Sequence, residues 1–199
     1  HILHLDTGAM YRTVALYMLR NGIDPQDEQT VSARCSEADV RVAYRDGAQR
    51  TMLGGEDVSD LIRTGEVSAA ASAISKWPAV RRRMVAAQRE IAATADMLID
   101  GRDIGTRVLI DAPVKIFLTA TPEERARRRY RQQIEKGDMT PYEQVLAELN
   151  ARDAQDMNRE TDPLRQAEDA VLVDSTNMTP EQVVDAIIAV VEDVYGKRA

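Results

Sequence analysis

MLIDGRDIGT, residues 97–106, decides how the chain is to be read. An apolar run, Met97–Leu98–Ile99, meets Asp100 and Gly101, and then Arg102, Asp103, Ile104, Gly105 and Thr106 follow. A short apolar run that stops at an acid and a glycine fits a strand covered on both faces, as in a parallel sheet. In open α/β sheets ligands bind beyond the carboxyl ends of such strands. Two carboxylates, one guanidinium and two glycines are more than a turn requires. Asp100 stands where phosphoryl-transfer enzymes place an acid for the water shell of a divalent cation, with a turn or cap acid as the alternative. Arg102 with Asp103 points to an anion site beside a hydrogen-bond acceptor, with an internal ion pair as the alternative.

Two more apolar runs, 114–118 and 170–173, have the same character. Each leads to a helix start of one pattern, Thr121-Pro122-Glu123-Glu124 and Thr179-Pro180-Glu181-Gln182: a threonine cap, proline at the first helical position, acids in the first turn. Ile2–Leu5 reads as the end of a further strand, turning at Asp6-Thr7-Gly8 into a helix from Ala9 to Arg20 that closes at Asn21-Gly22. These βα units predict an α/β fold with a doubly wound parallel sheet. Asp24-Pro25 predicts the start of another helix. Residues 39–58 switch to alternation (Val40, Val42, Tyr44) around the hairpin signal Asp46-Gly47, so a small antiparallel β insert is expected. Helices are expected over 59–75 and 78–94.

The totals narrow the function. With 199 residues, 44% hydrophobic and 30% charged, the chain suits a globular enzyme. No window approaches the roughly 18 apolar residues of a membrane span, and no leader pattern is present, so a cytoplasmic protein without membrane contact is expected. A net charge of −7 argues against nucleic acid as a partner. Cys35 is the sole cysteine, and His1 and His4 are the only histidines. An internal disulfide, a cysteine-based zinc site and a histidine triad are therefore excluded. Of 26 lysines and arginines only four are lysine. Arginine's planar fork suits phosphate, and phosphoryl transfer needs positioning and positive charge more than proton chemistry. Five arginines within 125–131 exceed the three acids spaced to pair with them as Glu123–Arg127, Glu124–Arg128 and Arg131–Glu135. Arg152, Asp156 and Arg159 are spaced along one helix face, for which a solvated face is the alternative. Trp77 reads as a packing anchor.

Six segments together, LDTGAMYR (5–12), GEDVSDLIRTGEVSAAAS (55–72), WPAVRRRMVAAQR (77–89), IDGRDIGT (99–106), DAPVKIFLTATPEERARRR (111–129) and RDAQDMNRE (152–160), resemble bacterial cytidylate kinases in order and spacing. The resemblance implies a P-loop kinase fold with a helical lid, and transfer of the ATP γ-phosphate to CMP or dCMP with Mg²⁺. It implies core segments at 1–38, 76–129 and 161–199, a nucleotide-binding insert at 39–75 and a lid at 130–160, in a monomer. Carried over by position, Ser72, Arg81 and Asp103 resemble the cytosine readers. Arg12, Arg102 and Arg159 resemble the arginines around the acceptor phosphate, and Arg152 with Asp156 the pair that holds the sugar. Thr7 matches a small hydroxyl residue near the nucleotide, Arg128 a lid arginine over ATP, and Asp100 the acid that meets the metal through water. Arg102, Arg152, Arg159 and Asp100 form the implied catalytic group. A kinase for another nucleoside monophosphate, a non-catalytic nucleotide-binding module and a helical scaffold are the alternatives.

One family feature has no counterpart. The G-x-x-x-x-G-K-[ST] loop, whose backbone cradles ATP phosphates, does not occur in these residues. The first strand and P-loop, roughly 25–30 residues judged by the length of a βα unit, are expected to precede His1 in the biological protein. The 199 residues alone are expected to bind CMP weakly at best and not to phosphorylate it.

Overall fold

The computed structural model describes residues 2–196, so His1 lies outside it. The chain divides into two compact units, residues 1–109 with 159–163, and residues 110–158 with 164–199. These boundaries cut the chain at other places than the five sequence blocks.

In the first unit β1 (Leu3–Asp6) runs parallel to β5 (Met97–Asp100), with Leu5 opposite Ile99 and Asp6 opposite Asp100. Asp6 ends the strand and caps α1 (Thr7–Arg20): its carboxylate accepts the Ala9 N–H at 2.9 Å. Gly22 leaves that helix at φ +64°, a backbone region open to glycine. The buried face of α1, Ala9, Met10, Val14 and Met18, repeats at helical spacing. It packs with Leu5, Ile62, Ile74, Val80 and Met84 into one apolar core. Each fully buried side chain of this size contributes about 1.5–3 kcal/mol.

The insert forms as its alternation predicts. β2 (Val40–Arg45) and β3 (Ala48–Leu53) pair antiparallel, followed by β4 (Glu56–Asp57). Asp46 and Gly47 both have positive φ, as a two-residue hairpin turn of matching twist requires. Gln49 ties the insert to the strand end, accepting from Asp6 N–H at 2.7 Å and donating to Asp6 O at 3.3 Å.

Two expected helices shift. Asp24 caps nothing; its carboxylate accepts from Gln26 N–H in a local turn, and α2 (Glu28–Arg34) starts after Asp27. Residues 59–75 are split by Thr64, which caps α3 (Gly65–Ile74) after a 3₁₀ turn at Leu61–Arg63. α4 (Pro78–Ala92) forms as expected, and Trp77 anchors its start, donating from Nε1 to Pro25 O at 3.0 Å.

In the second unit β6 (Ile116–Thr119) is parallel to β7 (Val171–Asp174). α5 (Pro122–Glu135) and α7 (Pro180–Tyr195) start at the threonine caps, with a complete capping box at Thr179 and Gln182. α6 (Tyr142–Asn158) lies against α5 through the edge-on Tyr130–Tyr142 pair and the Arg125–Asp153 ion pair at 2.6 Å. No helix among the described residues is long and apolar enough to cross a membrane.

The architecture is α/β with parallel strands, but the single sheet with strands buried on both faces is corrected. Among the described residues the parallel strands form two separate two-stranded ladders, β1–β5 and β6–β7. Leu98, Leu118 and Leu172 are each about half exposed, at 52%, 51% and 55%. In a two-stranded ladder one residue of each alternating pair turns away from the packed face, so an apolar run does not guarantee two covered faces.

Candidate functional site

Arg81 is the centre of the constellation. It is 1% exposed, carried inward by the buried face of α4. Its Nη2 donates to Asp103 Oδ2, its Nη1 to Ser75 O at 3.2 Å and its Nε to Asp162 Oδ2 at 3.3 Å. Arg159, also buried, donates from Nε to Asp162 O at 2.7 Å, and its Nη2 lies 3.9 Å from Asp103 Oδ1. Two guanidinium groups and two carboxylates thus interlock. A buried charge is tolerated when it is paired and hydrogen-bonded in this way. Burial opposes the charge on Arg81, and the surrounding Tyr11, Asp103 and Asp162 reverse that, leaving its pKa raised. Burial first, with Asp103 and Asp162 adding to it, pushes the Tyr11 hydroxyl up to about 12, so it stays neutral.

DGRDIGT is more than a turn. After Asp103 the backbone forms a wide helical turn, with Val108 N–H on Asp103 O and Leu109 N–H on Ile104 O, each spanning five residues. Such turns concentrate at functional sites. Asp103 enters this turn and is aimed at Arg81, whereas Arg102 is exposed. Gly101 is required by contact: a Cβ there would lie 2.5 Å from Thr7 Oγ1 and 2.8 Å from Ile104 Cδ1. The Thr7 hydroxyl donates to Asp100 O at 2.6 Å and so ties the start of α1 to the end of β5.

At those strand ends Asp100 faces Asp6. Loss of hydration first, then the Asp6 carboxylate, pushes the Asp100 carboxyl above the ordinary range, while His4 and Arg102 oppose the shift. Its side chain is still 61% accessible, so water screens much of the effect. Arg12 donates from Nη2 to Asp6 at 2.7 Å, and its Nε is buried without a hydrogen-bond partner among the described residues. An unsatisfied buried guanidinium N–H is a donor awaiting an acceptor.

Ser72 lies in the last turn of α3, half-buried; its carbonyl accepts from Ser75 Oγ, and Ser75 O in turn holds Arg81. Unit 1 therefore brings together Arg81, Asp103 and Arg159, with Ser72 linked to them through Ser75. The helix-face expectation for Arg152, Asp156 and Arg159 is corrected: α6 ends at Asn158, and Arg159 falls in the other unit. Asp156 is buried on α6. Arg128 donates from Nε to Glu124 at 3.0 Å, from Nη1 to Ser175 Oγ at 3.1 Å and from Nη2 to Ser175 O at 2.6 Å, so it fastens α5 to the end of β7. Glu124 takes Arg127 as well, where Glu123 was the expected partner. Asp162, Tyr11, Asp6 and Gln49 were missed as contributors. Tyr11 and Asp6 flank residues already singled out, but no local pattern marks Asp162, which sits at φ +47°.

Comparison with known proteins identifies the family. The profile of the family described as cytidylate kinase matches residues 1–193. A cytidylate kinase of Mycobacterium avium is 52% identical over 183 residues, 92% of this chain and 80% of that protein. One of Caldicellulosiruptor bescii is 47% identical over 186 residues, 94% of this chain and 82% of that protein. One of Corynebacterium diphtheriae is 46% identical over 190 residues, 95% of this chain and 83% of that protein.

Proposed function

The chain belongs to the cytidylate kinase family, and we propose how its residues serve that activity, the transfer of the ATP γ-phosphate to CMP to give ADP and CDP. The observation that carries the proposal is the buried Arg81–Asp103 pair. Cytosine offers acceptors at O2 and N3 and a donor at N4. Arg81 keeps N–H groups beyond its three bonds for the acceptors, and Asp103 Oδ1 takes the amino group, following the acid-to-cytosine pairing of groove readout. Uracil would set a carbonyl against the carboxylate and an N–H against the guanidinium. Because the pair is already locked by Ser75 and Asp162, the base meets a preorganised surface.

Arg12, Arg102 and Arg159 hold the acceptor phosphate in this proposal, with the unsatisfied Arg12 Nε as one ready donor. Positioning the phosphate for in-line attack, and neutralising it, is most of what this chemistry asks of a protein. Ser72 supports the base, and Arg152 with Asp156 holds the sugar, which in dCMP lacks the 2′-hydroxyl. Thr7 contributes by fixing Asp100 rather than by touching the nucleotide. The lid comprises 130–160, and Arg128 anchors its root.

The chemistry at Asp100 suits Mg²⁺. No group of three or more metal-ligating side chains exists among the described residues, and Mg²⁺ needs none, since it is commonly held through water with substrate phosphates. Asp100, raised first by loss of hydration and then by its neighbour Asp6, is a carboxyl that a cation would relieve. When bound, the ion supplies charge neutralisation to the transferring phosphates. A cytoplasmic monomer with no nucleic-acid or membrane partner completes the proposal.

Asp103→Asn tests the base assignment while keeping the side chain's shape. It sets an amide donor in reach of the cytosine amino group. The kcat/KM for CMP should fall by about tenfold or more, the cost of a charge-assisted contact of roughly 1.5–3 kcal/mol. Unchanged CMP efficiency would remove Asp103 from the site.

A further inference from the structure

Outside the constellation, α4 carries a second group of arginines. Arg82 and Arg89 lie two turns apart on one face of α4, so they point the same way. With Arg107, Val85, Thr161 and Asp162 they line an open cleft of about 300 Å³. The charges do not balance. Arg89 spends Nε and Nη2 on the carbonyls of Val108 and Arg107, at 2.9 and 2.6 Å, which leaves its positive charge uncompensated. The Arg82 side chain has no hydrogen bond or ion pair with any described residue. The one carboxylate, Asp162, meets Arg107 at 3.3 Å and is shared with Arg81 on its other oxygen. Three guanidinium groups thus face part of one carboxylate, in a chain whose net charge is −7.

We propose that this cleft is a second anion site, which takes the phosphate dianion of a small phosphorylated molecule. The fork of Arg82 and the remaining N–H groups of Arg89 and Arg107 line one space, and a tetrahedral oxyanion can accept from all three. At roughly 30 Å³ of liquid volume per water, the cleft holds about ten waters, more than a bare phosphate needs. Val85 supplies an apolar wall for the carbon body, and the Thr161 hydroxyl a neutral partner. The site does not depend on which nucleotide Arg81 and Asp103 read. It does share Asp162 with that pair, so an occupant competing for Arg107 acts on the carboxylate that steadies Arg81. Any resulting change in CMP affinity is matched by an equal change in the occupant's affinity.

The test follows the arginine Nε–Hε signals of the CMP-saturated protein by NMR, titrating inorganic phosphate and, separately, ribose 5-phosphate. Arg89 and Arg107 signals should shift with at least one probe. Arg82→Glu, on an exposed side chain that holds nothing, should weaken that binding by at least roughly tenfold and leave CMP turnover without the probe unchanged. Arg12→Ala should leave the shifts in place. Tighter binding of ribose 5-phosphate identifies a phosphomonoester as the ligand, and tighter binding of inorganic phosphate identifies the free ion. No shift with either probe, or equal binding by Arg82→Glu, would overturn the site.

Discussion

Arg81 shows why a buried arginine cannot be treated as a simple reader. Its three nitrogens are engaged by Ser75, Asp103 and Asp162, so the base-reading surface is also part of the core. Removing one partner of a buried pair strands the other, at about 3–5 kcal/mol. Alanine at Asp103 would therefore confuse folding with recognition, which is the reason to prefer asparagine there. Gly101 makes a separate claim at this scale. The added Cβ of Gly101→Ala overlaps Thr7 Oγ1 and Ile104, and overpacking of this kind costs about 1–3 kcal/mol by chemical denaturation. Adding Thr7→Ala should recover part of the loss, because residues in contact are coupled; a strictly additive double mutant would contradict the contact. The pairing of Arg and Asp at 81 and 103 could be anticipated only through resemblance. Asp162, equally central, could not: its role arises from a left-handed backbone and two distant arginines, and neither leaves a local pattern.

Elements were legible in proportion to how local their causes are. The caps at Thr121 and Thr179 and the Asp46-Gly47 hairpin need only neighbours within four residues, and all form where the pattern places them. Asp24-Pro25 misleads because Asp27 sits three residues on and competes for the same role, capturing Thr30 N–H and Oγ. Strand exposure was illegible, since an apolar run states an appetite for burial and not the number of layers available. The insert offers a pH test. The Arg50 guanidinium, then Ser59, hold the Asp57 carboxyl well below the usual carboxylate range. A depressed folded value contributes stability above the unfolded pKa of about 3.9 and loses it as pH falls toward the folded value. Asp57→Asn should therefore lower the melting temperature at neutral pH, and the gap to wild type should narrow in acid below about pH 3.9. Thermal circular dichroism across that range checks it; a gap independent of pH would assign the effect to packing.

For the molecule as a whole, an acidic chain still sets arginines beside Asp6, around Asp103 and along α4. Each compact unit carries its own parallel ladder, and the Arg81, Asp103 and Arg159 side chains gather within the first. The central claim is that the preorganised Arg81–Asp103 pair makes the acceptor a cytosine nucleotide. The direct measurement compares kcat/KM for CMP and UMP, with ATP as donor, in the full-length protein. With one wrongly directed donor and one wrongly directed acceptor, at about 1–3 kcal/mol for a bidentate mismatch, CMP should lead by roughly tenfold to a hundredfold. Equal values for CMP and UMP would contradict the claim.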